Sequence, residues 1–263
     1  MNQEKEVLNL EKRLIELSRI AYQRDIVTYS DFLNLNEQNI LHTLPKEKIS
    51  TEIISFGGYE TAERQMAAFI PDALYLRYGK KNLTTEEIGY PFCALRIESM
   101  NKKFAEELTH RDYLGAVLNL GIDRSRTGDI IQEESGAVIF VHNDIADFIS
   151  ENLFRIRHTS VTAQIASLSE VTYVPRYEEI RGTVASVRLD SLLALAFSSS
   201  RTKLTGLIEG ARVYVNGRLV TSNGYQPTEG DIISVRGLGK FCYESSGGKT
   251  RKNRINVMIN KYI

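Results

Sequence analysis

An α+β architecture in three units, residues 1–82, 83–170 and 181–263, is predicted by three features of the sequence. Helical and alternating apolar runs interleave along the chain with Gly and Pro between them, as where helices pack on mostly antiparallel sheets. Residues 83–170 carry the order β, α, β, β, α, β. Charge is segregated as well: residues 181–263 hold 13 Lys and Arg against 5 Asp and Glu, and the other 180 residues hold 20 against 28. A formal net charge of zero therefore hides a basic module on an acidic body, the asymmetry expected of nucleic-acid contact.

In the first unit, Val7, Leu8, Leu10, Leu14, Ile15, Leu17 and Ile20 lie among Glu and Lys and predict an amphipathic helix over 4–21. It packs inward or meets a partner helix. Ser30 and Asp31 mark the expected start of a second helix that stops before Pro45. Residues 49–56 read as a strand, Gly57-Gly58 as a turn, and 61–70 as a helix stopped by Pro71. None of these segments suggests chemistry.

The central unit reads as a strand over 90–99, a helix over 110–120 capped by Thr109 and ended by Gly121, and strands over 129–132 and 137–141. A helix over 144–152 and a strand over 161–168 complete the split ferredoxin-like order that the RNA-recognition motif also uses. That motif's aromatic strand signature is missing, since 136–141 offers only Phe140, and residues 83–180 hold 9 basic against 16 acidic side chains. This sheet is therefore not expected to read RNA directly. In the loop 121–129, Arg124 and Arg126 are its best candidates for a phosphate or protein contact.

In the third unit Leu189, Leu192, Leu193, Ala196 and Phe197 form one helical stripe, and Ser200 is placed to cap a second helix over 201–209 that Gly210 stops. Strands over 213–215 and 218–220 flank Asn216-Gly217, a strong hairpin signal, and 231–236 alternates again. The first turn of the second helix holds Arg201 and Lys203 where the dipole would favour an acid, a cost of about 0.3–1 kcal/mol per cation unless an anion is bound. Helix-terminal N–H groups at Ser200 beside two cations form a phosphate site. Strands over 240–244 and 254–263 flank a basic loop with Lys249, Arg251, Lys252 and Arg254, either a second RNA contact or a solvated hairpin tip.

The segments Arg188-Leu-Asp190, Ser200-Arg201, Leu207-Ile-Glu-Gly210, Val213-Tyr-Val-Asn-Gly217 and Gly230-Asp-Ile-Ile-Ser-Val235 resemble the RNA-binding domain named after small-subunit ribosomal protein S four. In that family two helices and the following hairpin grip structured RNA. The resemblance implies contacts at Arg188, Arg201, Lys203, Arg212, Asn216, Arg218 and Lys240, with Arg201 foremost. Ser200, Arg236, Lys249, Arg251 and Lys252 join the candidate set through their charge or position.

With Thr109-His-Arg-Asp-Tyr-Leu-Gly-Ala-Val-Leu-Asn-Leu-Gly-Ile122, Gly128-Asp-Ile130 and the basic ending, the whole chain is similar to the bacterial YlmH family. That similarity implies a three-part, non-enzymatic factor, encoded near cell-division genes, that binds rRNA and peptidyl-tRNA on stalled large (50S) ribosomal subunits in ribosome-associated quality control. The alternative is a septal interaction protein whose acidic body binds a division partner, with RNA binding secondary.

Other functions find little support. No apolar run approaches the roughly 18 residues of a membrane span, and the N-terminus lacks the apolar core of a signal peptide, so a cytoplasmic chain is expected. Cys93 and Cys242 have no CxxC spacing and read as free thiols, and the four His are scattered, so neither metal nor cofactor is expected. His110-Arg111-Asp112 resembles a kinase catalytic loop without the Gly-rich loop before it or the Asp-Phe-Gly after it. Gly248-Lys249-Thr250 resembles a phosphate-binding loop whose leading Gly position holds Tyr243. No enzyme is expected.

Overall fold

The N-terminal amphipathic stretch forms α1 (Asn2–Arg24) in the computed structural model, which describes residues 2–78, 83–101, 105–171, 173 and 175–263. Leu14, Leu17 and Ala21 on its inner face are buried with Leu33, Leu41, Phe69 and Ala67, so the stripe packs inward. Next come β1 (Thr28–Leu33), α2 (Leu35–Thr43), β2 (Glu52–Phe56), β3 (Gln65–Ile70), α3 (Asp72–Tyr78) and α4 (Thr85–Ile88). The three strands form an antiparallel sheet of order β1-β3-β2.

Two expectations fail in this part. Ser30 and Asp31 lie within β1, and the helix starts at Asn34, whose Oδ1 accepts from the N–H groups of Asn36 and Glu37 while Glu37 Oε2 accepts from Asn34 N–H at 2.7 Å. The reciprocal Asn34–Glu37 pair outcompetes a Ser-Asp signal with no such partner three residues on. Residues 65–70, expected within a helix, form the central strand β3. Met66, Ala68 and Ile70 face one core while Ala67 and Phe69 face another, so the strand is buried on both sides and shows no alternation to reveal it.

The central part comprises β4 (Phe92–Ser99), α5 (His110–Leu118), β5 (Thr127–Glu133), β6 (Gly136–His142), α6 (Asn143–Asn152), β7 (Arg155–Ile156) and β8 (Thr159–Ala166). The sheet order is β5-β6-β4-β8-β7, and every neighbouring pair is antiparallel, which is the ferredoxin-like order with a short edge strand added. Helices α5 and α6 cover the face that carries Leu95, Ile97, Ile139 and Val141. The opposite face, with Phe92, Ala94, Val138 and Phe140, packs on Phe32, Met66, Ala68 and Ile70 of the first sheet. Four layers result: helices, three strands, five strands, helices.

The chain divides into two compact units, 1–173 and 174–263, so the segments 1–82 and 83–170, read from the sequence as separate domains, lie in one unit around a shared core. Phe140 is fully buried there, its ring centroid 5.9 Å from that of Tyr59 and 6.3 Å from that of Phe92. Gly58 permits this approach. Its φ is +100°, and a Cβ there would sit 2.3 Å from Phe140 Cε1.

Buried Arg64 joins the layers by donating to the carbonyls of Phe32, Arg124 and Thr127, while the Asp129 carboxylate accepts from Tyr59 Oη, Glu63 N–H and Arg64 N–H. Arg124 donates to the carbonyls of Thr127 and Gly128, and burial pulls its guanidinium down to about 10. Arg126 bridges Asp31 of β1 and Asp144 of α6. Both arginines, expected as phosphate or protein contacts, are engaged inside the unit; charge alone could not separate a strut from a ligand contact.

The second unit contains β9 (Tyr177–Val184), α7 (Leu189–Ala196), α8 (Arg201–Glu209), β10 (Val213–Val215), β11 (Arg218–Leu219), β12 (Ile232–Val235), β13 (Gly239–Lys249) and β14 (Ile255–Tyr262). Its sheet order is β11-β10-β12-β13-β14-β9, antiparallel throughout. Helices α7 and α8 pack through Leu189, Leu192, Leu193, Leu204 and Ile208 on sheet residues that include Val213, Ile233, Phe241 and Ile259. Sequence patterning missed β9, an edge strand whose Glu178, Glu179 and Arg181 are exposed, but which pairs with β14 from Tyr177 to Val184. The basic loop is also shorter than expected, because β13 continues through irregular pairing to Lys249 and the turn spans only 250–254. Neither cysteine is in a disulfide, and among the described residues no helix is long and apolar enough to cross a membrane.

Candidate nucleic-acid interface

Helix α7 starts at Arg188, whose extended backbone serves as N-cap and whose Nε lies 3.3 Å from Asp190 Oδ1. The pair is ionic without a hydrogen bond, since Nε has no hydrogen-bond partner, and it partly neutralises the guanidinium. After Ser198, held in a left-handed conformation at φ +45°, Ser200 caps α8 by accepting from Lys203 N–H at 3.4 Å. No acid stands in the first turn of α8, and the Lys203 side chain is exposed. The Arg201 side chain lies outside the described residues. Arg188 and Ser200 thus open consecutive helices, the first of 8 residues and so about 12 Å long.

Helix α8 ends at Gly210 as expected, but Gly210 keeps an ordinary φ of −77°, and the left-handed residue is Ala211 at +57°. Arg212 N–H donates to Leu207 O and Ala211 N–H to Ile208 O, a complete Schellman motif with alanine where glycine is favoured. Gly210 is required for a different reason: a Cβ there would come 2.7 Å from Gly206 O. Left-handed alanine is strained by about 1 kcal/mol or more. Ala211→Gly should therefore raise the stability of the 174–263 unit by about 0.5–1 kcal/mol after the larger unfolded-state entropy of Gly is deducted, read as a higher urea midpoint. An unchanged or lower midpoint would contradict the strain.

The Schellman turn delivers Arg212 to the start of β10, where its carbonyl accepts from Arg236 N–H at 2.9 Å, so the two exposed arginines emerge side by side. At the other end of β10, Asn216 and Gly217 both adopt positive φ, and Arg218 leaves the turn exposed. Asn216, implied as an RNA contact, is engaged internally: Nδ2 donates to Asp231 Oδ1 at 2.8 Å and Oδ1 accepts from Ile232 N–H at 2.9 Å. Lys240 alternates with inward-facing Phe241 and so lies on the sheet face away from the helices, its Nζ 5.3 Å from the Tyr262 ring centroid. Lys249, Arg251 and Lys252 form a separate group at the β13–β14 turn, all exposed. Arg254 of the same turn instead donates to Thr183 of β9.

The candidates thus fall into a helix-side set, a hairpin tip and Lys240 on the opposite face of the sheet. What unites them is the fate of the acids. Every acid of 181–263 is hydrogen-bonded within the unit: Asp190 with Ser191, Glu209 with Asn223, Glu229 with Ser246, Asp231 with Asn216 and Thr228, and Glu244 with Asn260. Two hydrogen bonds from Ser246 hold the Glu229 carboxyl below its usual range. Among the described residues Lys203, Arg212, Arg218, Arg236, Lys249, Arg251 and Lys252 have no acid partner. The positive surface is left uncompensated.

A relative from Bacillus subtilis (strain 168), "Ribosome-associated protein quality control protein P2", is 30% identical over 251 residues, covering 94% of this chain and 92% of its own. The chain belongs to the YlmH family. The family model "Putative RNA-binding domain in YlmH" matches residues 86–170, and the "S4 domain" model matches 187–233. The second match runs from α7 into the start of β12 and leaves out β13, β14 and β9, so the YlmH chain carries a sheet extension beyond that motif. The solved structure "Cell division protein ylmH from Streptococcus pneumoniae" is 22% identical with a TM-score of 0.49, covering 66% of this chain and 96% of that one. Among the described residues no group of three or more His, Cys, Asp or Glu is arranged to hold a metal ion.

Proposed function

We propose that the protein is a non-enzymatic RNA-binding factor that acts on the ribosome, holding large-subunit rRNA and peptidyl-tRNA in ribosome-associated quality control. The observation that carries this reading is the excess of basic side chains over 181–263: the five acids there are hydrogen-bonded within the unit, while cations at the start of α8 and beside its C-terminal turn face solvent. A surface built this way attracts a polyanion and releases its condensed counterions. The ribosomal setting comes from the relative whose name places it in that process. Helices and strands carry or flank these cations, so binding has to order their side chains but not the backbone beneath them.

Binding to tRNA and to isolated large subunits should weaken steeply with salt, with a log–log slope of about −4 to −6 if roughly five to seven phosphates are neutralised. Filter binding across a salt series measures it. A flat dependence, or no retention of either RNA, would remove the proposal.

A further inference from the structure

The first unit carries a basic cleft of its own, on the side of the five-stranded sheet that α5 and α6 cover. About 580 Å³ in volume, it is lined by Arg111 and Asp112 of α5, Asn119 just past its end, Asn152 of α6, and Phe154, Arg155 and Arg157 around β7. Phe154 is 66% exposed, so a face of its ring is open to a ligand. Arg111 and Arg155 are exposed and have no partner among the described residues. Arg157 occupies a left-handed position at φ +53° in the two-residue turn between β7 and β8, where Asn or Gly is favoured. Its contacts with Glu106 and Asp112 are loose, at 3.8 and 3.7 Å. Asp112 also accepts from Thr109 N–H and Oγ1 at the start of α5.

We propose that this cleft binds an unpaired RNA nucleotide, with its base stacked on Phe154 and its neighbouring phosphates held by Arg111, Arg155 and Arg157. The inference rests on the proposed RNA-binding function and says where the first unit takes part. The sheet face that an RNA-recognition motif would use is closed here, because Phe140 and Phe92 are buried against the first sheet. An exposed ring beside planar guanidinium groups is what base stacking and phosphate contact require, and the amides of Asn119 and Asn152 can reach base edges. An acidic peptide fits less well: its carboxylates could pair with the three arginines but would leave the exposed Phe154 ring without a stacking partner, and the edge strand β7 has only two residues to offer an added strand.

Gly115 supplies a test that leaves the arginines in place. It lines the cleft, and a Cβ there would meet nothing within 4 Å, so Gly115→Glu adds a carboxylate inside the cleft without a steric clash. The full chain is irradiated with a 12-nucleotide oligouridylate carrying 5-iodouridine, and crosslinked peptides are mapped by mass spectrometry. The expected result is a crosslink at Phe154 that falls about tenfold in Gly115→Glu and in Arg111→Glu/Arg155→Glu, while crosslinks within 174–263 persist. Crosslinks confined to 174–263 in the unaltered chain would overturn the cleft and leave the proposed function standing. No RNA bound anywhere would overturn both. Loss of the Phe154 crosslink to polyglutamate, at a concentration that spares the other crosslinks, would assign the cleft to an acidic peptide instead.

Discussion

Phe140→Ala is expected to destabilise the 1–173 unit by about 3–5 kcal/mol, the usual cost of emptying a fully packed phenylalanine site. The ring is fully buried between the two sheets, and its neighbours Phe32, Phe92 and Tyr59 belong to three different strands or turns. They cannot collapse together to refill the space, because Gly58 brings backbone against one side of the ring. The chain has no Trp, so urea unfolding is followed by far-ultraviolet circular dichroism, with the 1–173 and 174–263 transitions fitted separately because two units need not unfold as one. The 174–263 transition should not move. A cost below about 1 kcal/mol would mean that Phe140 lies on an open sheet face, as the aromatics of an RNA-recognition motif do.

The same residue shows how far the sequence could be read. The strand and helix order of 83–170 was legible because turn residues separate each apolar run and Thr109 marks a helix start, and the observed strand order agrees with it. What Phe140 packs against was hidden. The covering strand β3 is apolar on both faces and carries no period, so Met66 to Ile70 looked helical and the shared core of the two segments went unseen. In the second unit, Ser200, Asn216-Gly217 and the α7 stripe stand where their local chemistry predicts, since caps and turns depend on near neighbours. Roles that depend on distant partners were not legible. Asn216 is engaged by Asp231, 15 residues away in sequence, and Arg126 by Asp31, 95 residues away. Gly210 ends α8 as its sequence position predicts, but no local pattern could have shown Ala211 taking the left-handed position after it.

Reversing the helix-side charges should abolish most RNA affinity without disturbing the fold. Lys203→Glu, Arg212→Glu and Arg236→Glu alter side chains that are exposed and have no acid partner, so melting of the unit should change by no more than about 0.5 kcal/mol per site. If each contacts a phosphate, the triple variant loses roughly 3 kcal/mol or more, about 10²-fold in affinity, and the log–log salt slope shrinks by about 2 to 3. A parallel triple variant, Lys249→Glu, Arg251→Glu and Lys252→Glu, changes the net charge of the unit by the same amount at the β13–β14 turn. Long-range attraction depends on total charge and would weaken similarly in both, whereas a defined contact depends on position. Equal losses in the two variants would therefore reduce the surface to a diffuse positive field, and a loss confined to the hairpin variant would move the RNA to the turn between β13 and β14. A loss concentrated in the helix-side variant is the outcome that the capped, acid-free first turn of α8 requires.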